Sequence, residues 1–422
     1  MAAHPFLTHP IAASGKGLGS FAAGDTLGDV AGLGWNILAE DVSLPVAVLR
    51  GERIAHNLVW MRDFIARYGV KLAPHGKTTM SPALFQRQLD HGAWGITLAT
   101  ASQTRAAYRH GVRRVLLANQ LVGHGNMAII AALQADPDFD FYCCVDSAAN
   151  VDALGAYFTV RGQTLKVLLE LGVSGGRTGA RDAKAEDDVL AAIARWPALQ
   201  LAGIELYEGV LKTEAEIRAF LQRAASRLRQ LCDDGLIGTG SAILSGAGSA
   251  WYDIVASEWT GLTLSRPVDI VLRPGCYLTH DVGIYKASQA RIDADNPVAR
   301  EMNASLLPAL QLWAYVQSMP EPGRAIIALG KRDAAFDAGL PQAALQHRPG
   351  EAAPRAVPAH WEVSGMMDQH AYLDGLLPGD DLAVGDLIAF EISHPCLTFD
   401  KWRQLAIVDE AYTVTELVET FF

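Results

Sequence analysis

Residues 165–179 read LKVLLELGVSGGRTG. A nearly continuous apolar run, Leu165–Leu171, breaks abruptly into glycine-rich, charged punctuation that ends in Arg177. A run without period-two alternation suits a strand buried on both faces, as in a parallel sheet covered by helices. Working outward, the same pattern recurs: VKLAP (70–74), GITLA (95–99), RVLLA (114–118), FDFYCCV (139–145), AGIELY (202–207), AILS (242–245) and DIVLR (269–273). Amphipathic stretches separate them, and one of these, after PVAVL (45–49), places Ile54, Leu58, Met61 and Ile65 on a single helix face. Strict strand–helix alternation predicts a parallel sheet.

Counted from VKLAP, eight strands fit between 70 and 273, the number of a (β/α)₈ barrel, which absorbs roughly 250 residues. An open doubly wound sheet has the same alternation. The barrel is favoured because PHGKT (74–78), SGGRTG (174–179), YEG (207–209), SGAGS (245–249) and RPG (273–275) all follow strands, and so fall on its C-terminal face, where barrel enzymes carry their sites. The expected fold is therefore α/β, a TIM-like (β/α)₈ barrel over 51–280. The left-over PVAVL joins a β-rich domain made of 1–50 with 281–422, which contains LIAFEIS (387–393) and QLAIVDEAYTVTELV (404–418).

Half of the 422 residues are hydrophobic, enough for a large core and too many for disorder. The formal charge of −11, with no basic block, argues against a nucleic-acid partner. Five cysteines, two of them adjacent at 143 and 144, make no disulfide framework and point to a reducing compartment. The first twenty residues lack a basic start and an apolar stretch, so no signal peptide is expected, and no run is long enough to span a membrane. A cytoplasmic protein is expected.

Lys77 stands beside Gly76 directly after a strand, where a buried or cationic setting would release its proton; most loop lysines are simply solvated. SGAGS offers backbone N–H groups and the Ser249 hydroxyl to a phosphate, although it fits neither the P-loop nor G-x-G-x-x-G. Arg177 suits an anionic oxygen, with a salt bridge to Asp182 as the plain alternative. The segment 172–176 also matches G-x-S-x-G, the nucleophile elbow of serine hydrolases, a pattern that arises easily in a chain with 39 glycines. His394 and Cys396 lie two apart after LIAFEIS. On an extended strand both would project to one side, and imidazole nitrogen with thiolate sulfur is the donor pair of zinc.

In this order and spacing the motifs resemble those of fold-type III pyridoxal phosphate enzymes, nearest to the D-serine dehydratase and D-threonine aldolase group of alanine racemase-like barrels. The resemblance runs from about Pro45 to the C-terminus. It implies pyridoxal phosphate attached to Lys77, Arg177 near the cofactor's phenolic oxygen, Tyr207 beside its ring, and Gly246, Gly248 and Ser249 around its phosphate. It implies Zn²⁺ on His394 and Cys396, the H-x-C of the dehydratases where the aldolases have H-x-D, and places His370 where the family has a histidine. The expected activity is dehydration and deamination of a D-β-hydroxy amino acid by a homodimer. A metal-dependent aldolase, a racemase and a non-catalytic cofactor carrier are the rivals. The chain departs from the pattern in Ala250-Trp251 after the phosphate loop and in 287–305, which has no evident counterpart.

Overall fold

The computed structural model describes residues 5–422; the first four residues of the N-terminal segment lie outside the described part. Eight parallel strands form one curled sheet: β2 (Lys71–Leu72), β3 (Ile96–Leu98), β4 (Arg114–Gln120), β5 (Asp140–Val145), β6 (Leu165–Leu171), β7 (Leu199–Leu206), β8 (Ala242–Gly246) and β9 (Val268–Leu272). β2 pairs with β9, and a parallel bridge between His75 and Thr97 brings the β2 end against β3, closing the barrel. One apolar layer of its interior is built from Leu116, Tyr142, Leu168, Ile243 and Val271, each from a different strand. The barrel expectation holds, and the open sheet is excluded by this closure.

PVAVL is the ninth strand for a physical reason. β1 (Val46–Arg50) lies inside a second, ten-stranded sheet, antiparallel to β10 (Leu310–Glu321) and parallel to Gln404–Val408. Val46 and Val48 face a cluster with Trp35, Ile37, Trp313 and Leu417, so the N-terminal segment completes the β-rich unit. The helix Gly51–Tyr68 then carries the chain to the barrel, with Ile54, Leu58, Met61 and Ile65 all buried. On the same helix the buried Asn57 side chain donates to the carbonyls of Leu278 and Leu307 and accepts from the Leu307 N–H. Those bonds tie the barrel mouth to the start of the second sheet, and losing the amide would strand buried polar groups at a cost of about 1–3 kcal/mol.

Residues 287–305 form two helices, Lys286–Asp295 and Pro297–Met302, with Asn296 capping the second. Arg291 from the first of them pairs with Asp253, donates to the Ala250 carbonyl and lies 4.3 Å over the Trp251 ring. None of the helices is long and apolar enough to cross a membrane.

Candidate active site

A one-turn helix, Gly76–Thr78, follows β2 and presents Lys77. Gly275 permits the approach of this turn to the next loop, because a Cβ there would meet the His75 carbonyl and Thr78 Oγ1 at 2.6 Å. One pocket at the barrel mouth is walled by Lys77, Arg177, Tyr207, Gly248, Ser249 and Cys396, together with His75, Arg273, Cys276 and Tyr285. Gly246 ends β8 beneath it, and His394 stands two residues before Cys396. His370 does not join them: it is exposed in the turn between the strands Glu362–Met366 and Ala371–Asp374.

Lys77 is exposed rather than buried, and its Nζ makes no hydrogen bond or ion pair among the described residues. Its setting is instead cationic. His75 is held neutral, its pKa pushed well down by burial and then by the charges of Lys77, Arg273 and Arg177. The Arg177 guanidinium lies 4.8 Å from the centre of the Tyr207 ring. Asp182 takes no part in holding it, because its carboxylate caps the helix Ala183–Ala194 through the Ala185 N–H. The loop before it is braced by Arg181, which donates to the carbonyls of Val173, Gly176, Arg177 and Thr178. Ser174 is exposed in that loop with no histidine among the described residues bonded to it, so the serine-hydrolase alternative has no base there.

The phosphate-loop candidate is organised from below. The buried carboxylate of Glu208 accepts the N–H groups of Ala247 (2.9 Å) and Gly248 (2.8 Å), so Gly248 does not offer its own N–H outward. Its lack of a side chain matters instead: a Cβ would sit 2.9 Å from the Tyr207 ring. Ala247 adopts φ of 79°, and the next N–H groups, of Ser249 and Ala250, have no partner among the described residues. Ser249 Oγ accepts from the N–H groups of Gly275 and Cys276 at 3.2 and 3.1 Å, linking this loop to RPG.

The metal pair is built differently from the expectation. His394 and Cys396 are not on an extended strand. The strand Leu387–Glu391 ends first, His394 lies in an irregular stretch between bends at Ser393 and Pro395, and Cys396 opens the short helix Cys396–Phe399. His394 Nδ1 is 2.7 Å from Asp337 Oδ2, which leaves Nε2 as the outward donor, the arrangement in which a carboxylate orients a metal-binding imidazole. Cys396 Sγ is 3.4 Å from Thr78 Oγ1 and 3.7 Å from Cys276 Sγ. The neighbouring Cys276 thiol and His394 hold the Cys396 thiol well below its usual range. Contact with Cys396 and then Asp337 raises His394 to about 9. Asp281, buried nearby, has one carboxylate oxygen without a partner and is pushed up to about 6 by burial.

Deeper in the barrel Cys144, Glu170 and Glu205 converge. Glu205 is ion-paired with Arg273, and the Cys144 thiol is kept protonated by burial while donating to the Leu117 carbonyl. Glu170 accepts from Thr178 and Gln120. The cluster is thus satisfied by its own hydrogen bonds and one arginine. Burial, and then Glu205, push Glu170 up to about 7. A carboxyl whose folded pKa lies above its unfolded one binds more protons in the folded state, so stability falls as pH rises from about 4.5 to 7. Melting of the wild type is expected to drop across that window, and Glu170→Gln to flatten the drop; parallel curves would place the proton elsewhere.

A closed parallel barrel with a lysine after its first strand and a glycine-rich loop after its seventh defines the fold-type III pyridoxal phosphate class. The model of the alanine racemase N-terminal domain matches residues 50–278, more than half of the chain, and the chain belongs to that family. A serine dehydratase domain model matches residues 309–408. The chain is 28% identical over 244 residues to the D-threo-3-hydroxyaspartate dehydratase of Delftia sp. (strain HT23), a match spanning 56% of this chain and 61% of that relative's length. Among solved structures it superposes on a D-threonine aldolase from Filomicrobium marinum with a TM-score of 0.75 at 24% identity, covering 92% of this chain and 97% of the other. The Delftia dehydratase structure follows, with a TM-score of 0.70 at 21% identity, covering 92% and 99%.

The residues present fit the cofactor that this class implies. Lys77 Nζ is unpaired at the pocket wall, Ser249 and Ala250 offer unpartnered N–H groups, and His75 Nδ1 and Arg273 Nε are buried with no partner. Ser249→Asp would set a carboxylate against a dianionic phosphate, and cofactor retained per chain is expected to fall about tenfold or more, read as visible absorbance after purification. Unchanged absorbance would make SGAGS an ordinary turn.

Residues outside the sequence expectation also reach this site: Glu208 and Asp337 as supports, Arg273, Thr78 and Cys276 as walls. Arg273 was within sight in the RPG motif; Asp337 carries no local signal, being 57 residues from the histidine it orients.

Proposed function

We propose that this protein is a pyridoxal phosphate- and zinc-dependent dehydratase that converts a D-β-hydroxy amino acid to a 2-oxo acid and ammonia, a lyase. The contact between Cys396 and Thr78, at 3.4 Å, carries the proposal, because Thr78 directly follows Lys77 and so the metal-donor pair and the amine share one pocket. The 28% identical dehydratase supports the substrate class. Pyridoxal phosphate supplies an electron sink for the pair released when the α-proton leaves, and zinc supplies a Lewis acid that makes hydroxide a weaker base and a better leaving group.

The chain's own residues do the rest. Lys77 is the one lysine on the pocket wall and takes the α-proton at Nζ. Arg177 stands over the Tyr207 ring, where it holds an anionic oxygen and fixes the plane against which the reacting group lies. Burial, and then Glu208, raise the Tyr207 phenol above its usual range, so it stays protonated. His394 and Cys396 would hold the ion, and Asp337 fixes the imidazole tautomer. Loss of the α-proton and of the β-hydroxyl removes one water; the unsaturated amine released then tautomerises and hydrolyses to the 2-oxo acid and ammonia. A thiolate donor favours zinc over the harder cations of aldol-type sites. By the same resemblance the proposal extends to a cytoplasmic homodimer with a small D-amino acid as its partner and neither nucleic acid nor membrane.

The test is to feed D-threo-3-hydroxyaspartate, D-serine and D-threonine to zinc-loaded protein and identify products. 2-Oxo acid with equimolar ammonia is expected. Glycine with an aldehyde would make the protein an aldolase, and an L-enantiomer formed without zinc would make it a racemase.

A further inference from the structure

The loop after β9 places a second sulfur beside the metal pair. Cys276 follows Arg273-Pro274-Gly275 directly, opens the one-turn helix Cys276–Leu278 and is 3% exposed. Its Sγ lies 3.7 Å from Cys396 Sγ. Two thiolates bound to one zinc at ~2.3 Å with a tetrahedral angle are about 3.8 Å apart, so the observed separation accepts the ion with neither backbone moving. A disulfide, by contrast, would draw the sulfurs to about 2.05 Å. The two chains of contact meet again at Thr78, whose Oγ1 is 3.9 Å from Cys276 Sγ and 3.4 Å from Cys396 Sγ.

We infer that Cys276 is a third protein ligand of the zinc, giving a donor set of one imidazole and two thiolates from both domains. This rests on the metal half of the function proposed above. Charge favours it: a divalent ion enclosed here by one thiolate keeps a net positive charge, and the second thiolate cancels it in a site where desolvation is costly. The third side of the triangle is longer, since the His394 ring and both sulfurs are not all within 4.8 Å of one another. Uptake of the ion would therefore draw the imidazole inward, from a position outside any strand or helix. Three ligands leave one tetrahedral position, the count of a catalytic zinc site, and that position takes a single substrate oxygen. The ion then contacts the β-hydroxyl alone and leaves the substrate carboxylate to the arginines.

X-ray absorption at the zinc edge of the zinc-loaded holoprotein decides the matter. Two sulfurs at ~2.3 Å are expected in the wild type and one in Cys276→Ser, with zinc affinity in a chelator competition falling about tenfold or more. The other three cysteines are buried apart from this pocket, so a second sulfur has one source. Unchanged visible cofactor absorbance in Cys276→Ser, and in Cys276→Ala, verifies that the barrel is intact. If both variants fail to fold, the wild-type sulfur count still answers the question. One sulfur in the wild type overturns this inference and leaves the zinc enzyme standing. A protein that takes up no zinc overturns both, and a Cys276–Cys396 disulfide in the loaded protein overturns the ligand assignment.

Discussion

Lys77→Ala is expected to lower turnover by at least about three orders of magnitude, because one amine serves both as the cofactor's anchor and as the acceptor of the α-proton. No other lysine walls the pocket to replace it. The cofactor itself should still associate, held by the N–H groups beyond Gly248 and by the cationic surroundings of Arg177 and Arg273, but without a covalent bond. Borohydride treatment followed by peptide mapping is the direct measurement: label on Lys77 in the wild type, none in the variant. Near-normal activity in Lys77→Ala would remove the pyridoxal chemistry altogether.

The second large effect belongs to the metal. Hydroxide is a poor leaving group at neutral pH, and a zinc ion is the lever that lowers the basicity of a bound oxygen toward ~7. Chelation, or Cys396→Ala, is expected to cut 2-oxo acid release by about two orders of magnitude or more while the visible absorbance of the cofactor stays unchanged. Loss of both signals together would show that Cys396 supports the fold of the pocket. Full activity after metal removal would contradict the dehydratase mechanism and fit a racemase, which needs only the α-proton and the electron sink. His394→Ala should behave like Cys396→Ala, and Asp337→Asn more mildly, since it removes only the carboxylate that orients the imidazole.

What was legible in the residues was whatever the chain writes locally. Apolar runs such as Leu165–Leu171 declare buried strands, and the loops that follow them declare one face of a barrel. β1 was legible as a surplus strand, and its place in the other sheet followed from the count. The HPC segment was legible in its donors but not in its shape. Pro395 permits a helix start, and the pair meets through a bend and the first helical turn instead of through strand alternation. Lys77 stood out by its position after β2, and of the two settings expected for it, buried or cationic, the pocket supplies the cationic one while the side chain stays exposed. Groups that act across long separations left no signal. Glu208 holds the loop at 247–248 from 40 residues away, and Cys276 and Cys396 meet across 120. Two of the departures from the family pattern meet in space, since Arg291 of the 287–305 segment packs on Trp251 and bonds the Ala250 carbonyl.

The position of β1 bears on how the molecule is made. Val48 sits opposite Gln311 on one side and Ala406 on the other, so a central strand of the second sheet leaves the ribosome more than 250 residues before its first partner. During synthesis the barrel strands, complete by Leu272, precede both neighbours of β1. The nascent chain thus has Lys77 and the phosphate loop available before His394 and Cys396 exist, and it carries an orphan hydrophobic strand throughout that interval. On the function proposed above, the residues that would hold the cofactor are thus made before those that would hold the metal, and a chain stopped ahead of His394 is expected to keep the first set and lack the second.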